Sequence, residues 1–291
     1  MEAQDLFKKV RKIEIKTRGL SNQIFSGEYH SVFKGRGMAF SEVREYQYGD
    51  DIRNIDWNVT ARFNHPFVKI YEEERELTVM LLIDVSGSGF FGTHGQLKQE
   101  LITEIAAVLS FSAINNNDKV GVIFFSDKIE KFIPPKKGSS HILRIIRELI
   151  DFHAENRGTD ISEALRYLTN AIKKRSTAFI ISDFMDDNFD KAIQIANHKH
   201  DLIAIRVTDE RELEIPNVGL VKMQDAETDK IRWVDTGSRR VRDHFARTAR
   251  QKTAELDRRL NRFGIDMARV YTGKDYVKPL INLFKKREAR K

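Results

Sequence analysis

At 291 residues, 41% of them hydrophobic, the chain can bury one sizeable α/β core plus a smaller appendage, and its lack of cysteine excludes a disulfide framework, a zinc–thiolate site and a cysteine nucleophile. The net charge of +7 is polarised: residues 231–291 carry 18 Lys and Arg against 7 Asp and Glu, which leaves residues 1–230 at −4. No apolar run reaches the ~20 residues of a membrane span and the first residues lack a signal peptide's basic and apolar regions, so a cytoplasmic location is expected, with the inner-membrane surface as the alternative.

Residues 1–24 place Leu6, Val10, Ile13 and Ile15 among lysines and arginines, the pattern of an amphipathic helix ending near Gly19. Residues 26–76 then mix glycines, aromatics and opposite charges without helical or strand period. Arg44, Arg53 and Arg62 stand against Asp50, Asp51 and Asp56, which predicts ion pairs bracing a loop-rich subdomain around Trp57. Residues 1–76 are therefore read as an N-terminal subdomain. From Phe67, the alternation of Val68, Ile70 and Glu72 predicts an edge strand leading into the next segment.

Residues 78–88 read Thr-Val-Met-Leu-Leu-Ile-Asp-Val-Ser-Gly-Ser, an apolar run typical of a strand buried on both faces, ending abruptly in oxygen donors. Asp84, Ser86 and Ser88 fall at i, i+2 and i+4, so one carboxylate and two hydroxyls can converge where open α/β sheets bind ligands. Gly87 and Gly89 are expected to let this loop turn tightly. One anion and two neutral hydroxyls under-neutralise a divalent cation, so further ligands must come from elsewhere. Two later junctions offer them: Thr159 in the loop before the helical pattern at 161–165, and Asp183 at the end of the apolar run 178–182. The same loop matches G-x-G-x-x-G at residues 87–92, with Asp127 closing the next strand. A dinucleotide is disfavoured there, because Asp84 would face the pyrophosphate and the helical pattern starts only near Leu97.

The remaining elements alternate. Residues 96–115 form a helix and 119–125 a buried strand. Residues 129–133 pair with that strand as a hairpin closed by Pro134 and Pro135. Helices follow at 139–152 and 160–174, the latter capped by Asp160 with Glu163 three residues on. After the strand at 178–182, Asp190 is expected to cap a helix to Asn197, with His198 and His200 at a surface helix end. A strand at 202–207, a hairpin insertion near 215–236, a long helix from Ser238 to Phe263 stopped by Gly264, a strand at 266–271 and a helix from Asp275 complete the chain. This alternation over residues 77–291 predicts a doubly wound α/β domain, a mostly parallel sheet with helices on both faces.

The order Asp-x-Ser-x-Ser, then Thr, then Asp resembles the metal-ion-dependent adhesion site of von Willebrand factor A domains. That resemblance implies that Ser86, Ser88 and Thr159 bind a cation directly or through water. Asp84 and Asp183 would bind it or orient its waters, and a partner's carboxylate would fill the remaining position. The implied ion is Mg2+, with Mn2+ or Ca2+ as alternatives.

A second resemblance lies in Gly35-Arg36-Gly37 through Phe40, Arg44-Glu45-Tyr46, Gly49-Asp50-Asp51-Ile52-Arg53-Asn54-Ile55-Asp56-Trp57 and Ala61-Arg62. These look like the signature of the bacterial domain-of-unknown-function fifty-eight family, in which such a segment precedes a von Willebrand A-like domain. Ala39 stands where that pattern has an acidic residue. Members of that family are commonly encoded beside MoxR-type AAA+ ATPases. The resemblance implies a non-enzymatic adaptor for such an ATPase, in protein or cofactor maturation or stress tolerance, with other von Willebrand A proteins as further partners. It implies no small-molecule substrate and no specific nucleic acid. The alternatives are a metal-dependent hydrolase and an adaptor that uses the basic C-terminal region on nucleic acid or a membrane.

Overall fold

A computed structural model describes residues 13, 14, 17, 39–72, 77–93, 95–152, 154, 156, 158–224 and 231–289. The chain divides into two compact units, Lys34–Leu77 and a larger one made of Met1–Phe33 with Thr78–Lys291. The predicted N-terminal helix is described only at Ile13, Glu14 and Thr17, which are helical; its remainder and the signature residues Gly35 to Met38 lie outside the described residues.

In the smaller unit, β1 (Ala39–Glu45) pairs antiparallel with β2 (Phe67–Glu72), and α1 (Trp57–Phe63) lies between them in sequence. The strand at Phe67 thus belongs to a two-stranded ribbon of this unit, not to the edge of the main sheet. Of the three expected arginine–aspartate braces, one is bidentate: Arg44 donates to Asp50 at 2.8 and 2.7 Å. Arg53 and Asp51 approach only to 4.0 Å at an exposed site. Asp56 instead caps α1, accepting from the Asn58 and Val59 amides, and pairs with Lys69 at 3.5 Å. Trp57, expected at the centre of the brace, is 69% exposed, because the first position of a short capped helix points it outward.

The larger unit is built on six strands. They are β3 (Thr78–Asp84), β4 (Lys119–Phe125), β5 (Ile129–Lys136), β6 (Thr177–Ser182), β7 (Asp201–Thr208) and β10 (Asp266–Tyr271), while β8 (Leu220–Gln224) and β9 (Ile231–Asp235) form a separate antiparallel hairpin. The spatial order is β5-β4-β3-β6-β7-β10, with every pair parallel except β4–β5. The chain first winds outward from β3 to β5, then returns to the other side of β3. Strand order therefore reverses between β3 and β6, and their carboxyl ends form the topological switch point of a doubly wound sheet. The expected fold class is the one observed.

Helices cover both faces. The helices α4 (Ile161–Ala171), α5 (Asp190–Lys199) and α6 (Arg239–Arg262) pack Leu165, Leu168, Ile193, Leu256 and Leu260 against Met80, Leu82, Ile123 and Ile180. On the opposite face lie α2 (Lys98–Asn115), α3 (Ser139–Asp151) and α7 (Val277–Glu288). There Phe111 of α2 clusters with Ile142 and Ile146, Phe284 of α7 meets Phe179 edge-on, and the partly buried Ile13 joins in. Of α6, only Leu256 and Leu260 are buried, so the apolar face expected at Val241, Phe245 and Ala249 is not covered as theirs is.

Three further expectations are corrected. Pro134 and Pro135 lie within β5 rather than closing it; as the sheet's edge strand β5 tolerates residues that cannot donate to a ladder. Opposite them, a Cβ on Gly121 would come within 2.9 Å of the Pro135 nitrogen, which requires glycine in β4. Asp190 begins α5 rather than capping it, and it binds Arg259 and Arg262 of α6. His200 is fully buried, not at a surface helix end: its Nδ1 lies 3.0 Å from Ser176 Oγ and burial drives its pKa down to about 4.

Candidate metal centre

β3 is buried from Val79 onward, and it delivers Asp84 to the switch point at 6% exposure. The buried Ser86 then leads into a 3-10 turn, residues 87–90, in which Ser88 is half-buried. Neither Gly87 nor Gly89 needs a positive φ here. The glycine this loop requires is Gly92, where a Cβ would meet the Gln96 carbonyl oxygen at 2.2 Å. The turn brings the Ser86 and Ser88 hydroxyls to 3.1 Å of each other. Asp84 Oδ1 accepts the Ser86 amide at 3.0 Å and Oδ2 accepts the Ser182 hydroxyl at 2.5 Å.

Asp183 lies within electrostatic reach of Asp84, and Thr159 stands in the loop that precedes α4. The Asp160 amide donates to the Ser126 carbonyl at 2.8 Å, which fixes the Thr159 loop over the end of β4. Asp183 follows β6 directly, and the loop after it is stitched to the start of α4: Asp186 accepts the Ile161 amide at 2.9 Å, and Ser162 Oγ donates to the Asn188 carbonyl at 2.8 Å. Phe184 holds a left-handed φ of 59°, an uncommon conformation for a bulky residue and one that turns the chain sharply after Asp183.

The neighbour that sequence reasoning missed is Lys98. It sits in the first turn of α2, 2% exposed, with Nζ 2.8 Å from Asp183 Oδ2 and 2.6 Å from Glu212 Oε1. Asp183 Oδ1 accepts the Met185 amide at 3.2 Å. Burial opposes the charge on Lys98, but the two carboxylates outweigh it and hold the ammonium above its ordinary pKa. At Asp84, burial and the nearby Asp183 carboxylate push the pKa up to about 6, against the hydrogen bonds from Ser182 and Ser86. The one sequence signal for Lys98 is its place in the first turn of a helix, where the dipole mildly disfavours a cation, and that signal does not identify its partners.

The residues fit a hard cation in part. Around magnesium with oxygens at ~2.0–2.1 Å, adjacent ligands are ~2.9 Å apart, close to the observed hydroxyl separation. The raised pKa of Asp84 marks a local shortage of positive charge that such an ion would supply. On the Asp183 side, Lys98 already supplies one. Among the described residues, no group of three or more His, Asp and Glu forms a metal site, so the donors at the rim are chiefly hydroxyls.

Residues 42–255 match the family described as protein of unknown function DUF58, and the chain belongs to that family. An uncharacterised protein of Mycobacterium tuberculosis is 31% identical over 276 residues, spanning 94% of this chain and 86% of the relative. Among solved structures, the conserved hypothetical protein BatB from Bacteroides thetaiotaomicron is similar with a TM-score of 0.47 at 18% identity, covering 74% of this chain and all of the other. The SpRpn10 VWA domain gives a TM-score of 0.41 at 11% identity, covering 72% of this chain and 95% of that domain. No described helix is long and apolar enough to cross a membrane.

Proposed function

We propose that this chain is a non-enzymatic protein-interaction adaptor that docks an acidic side chain of its partner through a divalent cation at the sheet's switch point, and that the partner is a MoxR-type AAA+ ATPase. The observation that carries this reading is the pair of hydroxyls, Ser86 and Ser88, 3.1 Å apart beside the under-compensated Asp84 carboxylate. Ser86, Ser88 and Thr159 would hold the ion directly or through water, with Asp84 and Asp183 binding it or orienting its waters. The ion supplies Lewis acidity toward an external carboxylate. Two neutral hydroxyls leave it electron-poor, which suits capture of an anion better than generation of a bound hydroxide. Work in protein or cofactor maturation or stress tolerance follows from the ATPase partner.

The test is affinity capture of the tagged chain from its own cells in magnesium buffer. The ATPase should co-purify and be lost with EDTA, with Asp84→Ala and with Ser86→Ala, each variant still unfolding cooperatively. A complex that survives all three treatments rules out cation-mediated docking.

A further inference from the structure

A buried lysine is an unusual neighbour for a cation. Lys98 is clamped on both sides: Asp183 and Glu212 hold its ammonium, and Glu212 is itself fixed because its second oxygen accepts the Asp209 amide at 3.0 Å. Asp209 in turn accepts from the Thr93 amide at 2.9 Å, from Thr93 Oγ1 at 2.7 Å and from Thr272 Oγ1 at 2.5 Å, which anchors the clamp to the loop after β3 and the end of β10. Held by Glu212 on one side, the ammonium is kept facing Asp183 on the other. Both Asp183 oxygens already accept hydrogen bonds, from Lys98 and from the Met185 amide.

Building on the cation-mediated reading above, we infer that Lys98 is a positioning residue that holds Asp183 out of direct contact with the ion and keeps the site one anion short. The direct donors are then Asp84 and the two serine hydroxyls, and the fixed positive charge opposes a divalent ion from the α2 side. The site binds the ion weakly alone and tightly only when a partner's carboxylate completes it. Docking thereby becomes conditional on the acidic partner, since neither ion nor carboxylate is held well without the other. Arg206 of β7, 8% exposed and within the electrostatic reach of Asp183, adds positive charge in the same sense.

The experiment is calorimetric titration of Mn2+ into the full chain and into Lys98→Met, Lys98→Arg and Glu212→Gln. Removing a unit charge a few ångströms from a divalent ion should tighten binding about tenfold or more in Lys98→Met. Glu212→Gln leaves the ammonium facing Asp183 alone and should weaken binding by about threefold, with Lys98→Arg near wild type. The opposite signs are diagnostic, because simple loosening of the site would weaken binding in both variants. Lys98→Met binding no more tightly than wild type, or Glu212→Gln binding equally well or better, overturns the inference. Should Lys98→Met fail to fold, the sign for Glu212→Gln decides. Failure of Mn2+ to bind either wild type or a folded Lys98→Met would instead remove the cation reading on which the inference rests.

Discussion

Two carboxylates at the same rim of the sheet, Asp84 at the end of β3 and Asp209 just after β7, are almost equally buried, at 6% and 0% exposure, yet their pKa values move in opposite directions, up to about 6 and down to about 2. Burial works to raise both. At Asp209 it is outweighed by hydrogen bonds from Thr272, from the Arg211 amide and from both donors of Thr93. Asp84 accepts from the Ser182 hydroxyl and the Ser86 amide, and it faces a second carboxylate, Asp183. Donor supply and the nearest like charge thus decide which buried acid is satisfied and which is poised. The satisfied one fastens loops together; the poised one lies where strand order reverses and where a ligand would relieve it.

The sharpest way to break this contrast is to remove each acid. Asp209→Ala leaves the Thr93 and Thr272 donors without their acceptor and should lower unfolding stability by about 3 kcal/mol in urea denaturation. A loss under about 1 kcal/mol would mean that Asp209 does not fasten the rim. Asp84→Asn, measured in EDTA at pH 7.5, should change stability little or raise it by about 1 kcal/mol, because it removes a buried charge that lacks compensation. The pH profile carries the sign. With its folded pKa raised to about 6 above an unfolded value of roughly 4, Asp84 binds more protons folded than unfolded, so its contribution to stability falls as pH rises between those values. Asp209, depressed to about 2, contributes stability that is present above roughly pH 4 and lost as pH falls toward 2. Subtracting the Asp84→Asn profile from wild type should isolate the first window. A flat difference between pH 4 and 6 would show that Asp84 is not poised.

Much of the larger unit was legible in the sequence, because β3, β4, β6 and β7 are built on short apolar runs that read as buried strands without tertiary information. The positions of Asp84 and Asp183 at strand ends were legible for the same reason, since each follows such a run. Lys98 was not, because its partners Asp183 and Glu212 lie 85 and 114 residues away. Ser182 was passed over for a similar reason: its role as donor to Asp84 exists only once β6 pairs beside β3. In the smaller unit, mixed composition hid β1, the partner of the expected strand at Phe67, and the tryptophan expected within a salt-bridged brace is exposed. Exposure of Trp57 follows from its position at the start of a seven-residue helix, a detail of packing that alternating charge does not encode.

The most direct measurement is an anomalous-scattering map from crystals soaked in manganese. The account requires one peak at the carboxyl end of β3, bonded to the Ser86 and Ser88 hydroxyl oxygens, with Lys98 still on Asp183. No peak there, or a manganese ion seated elsewhere on the chain with the two serines bare, would contradict it.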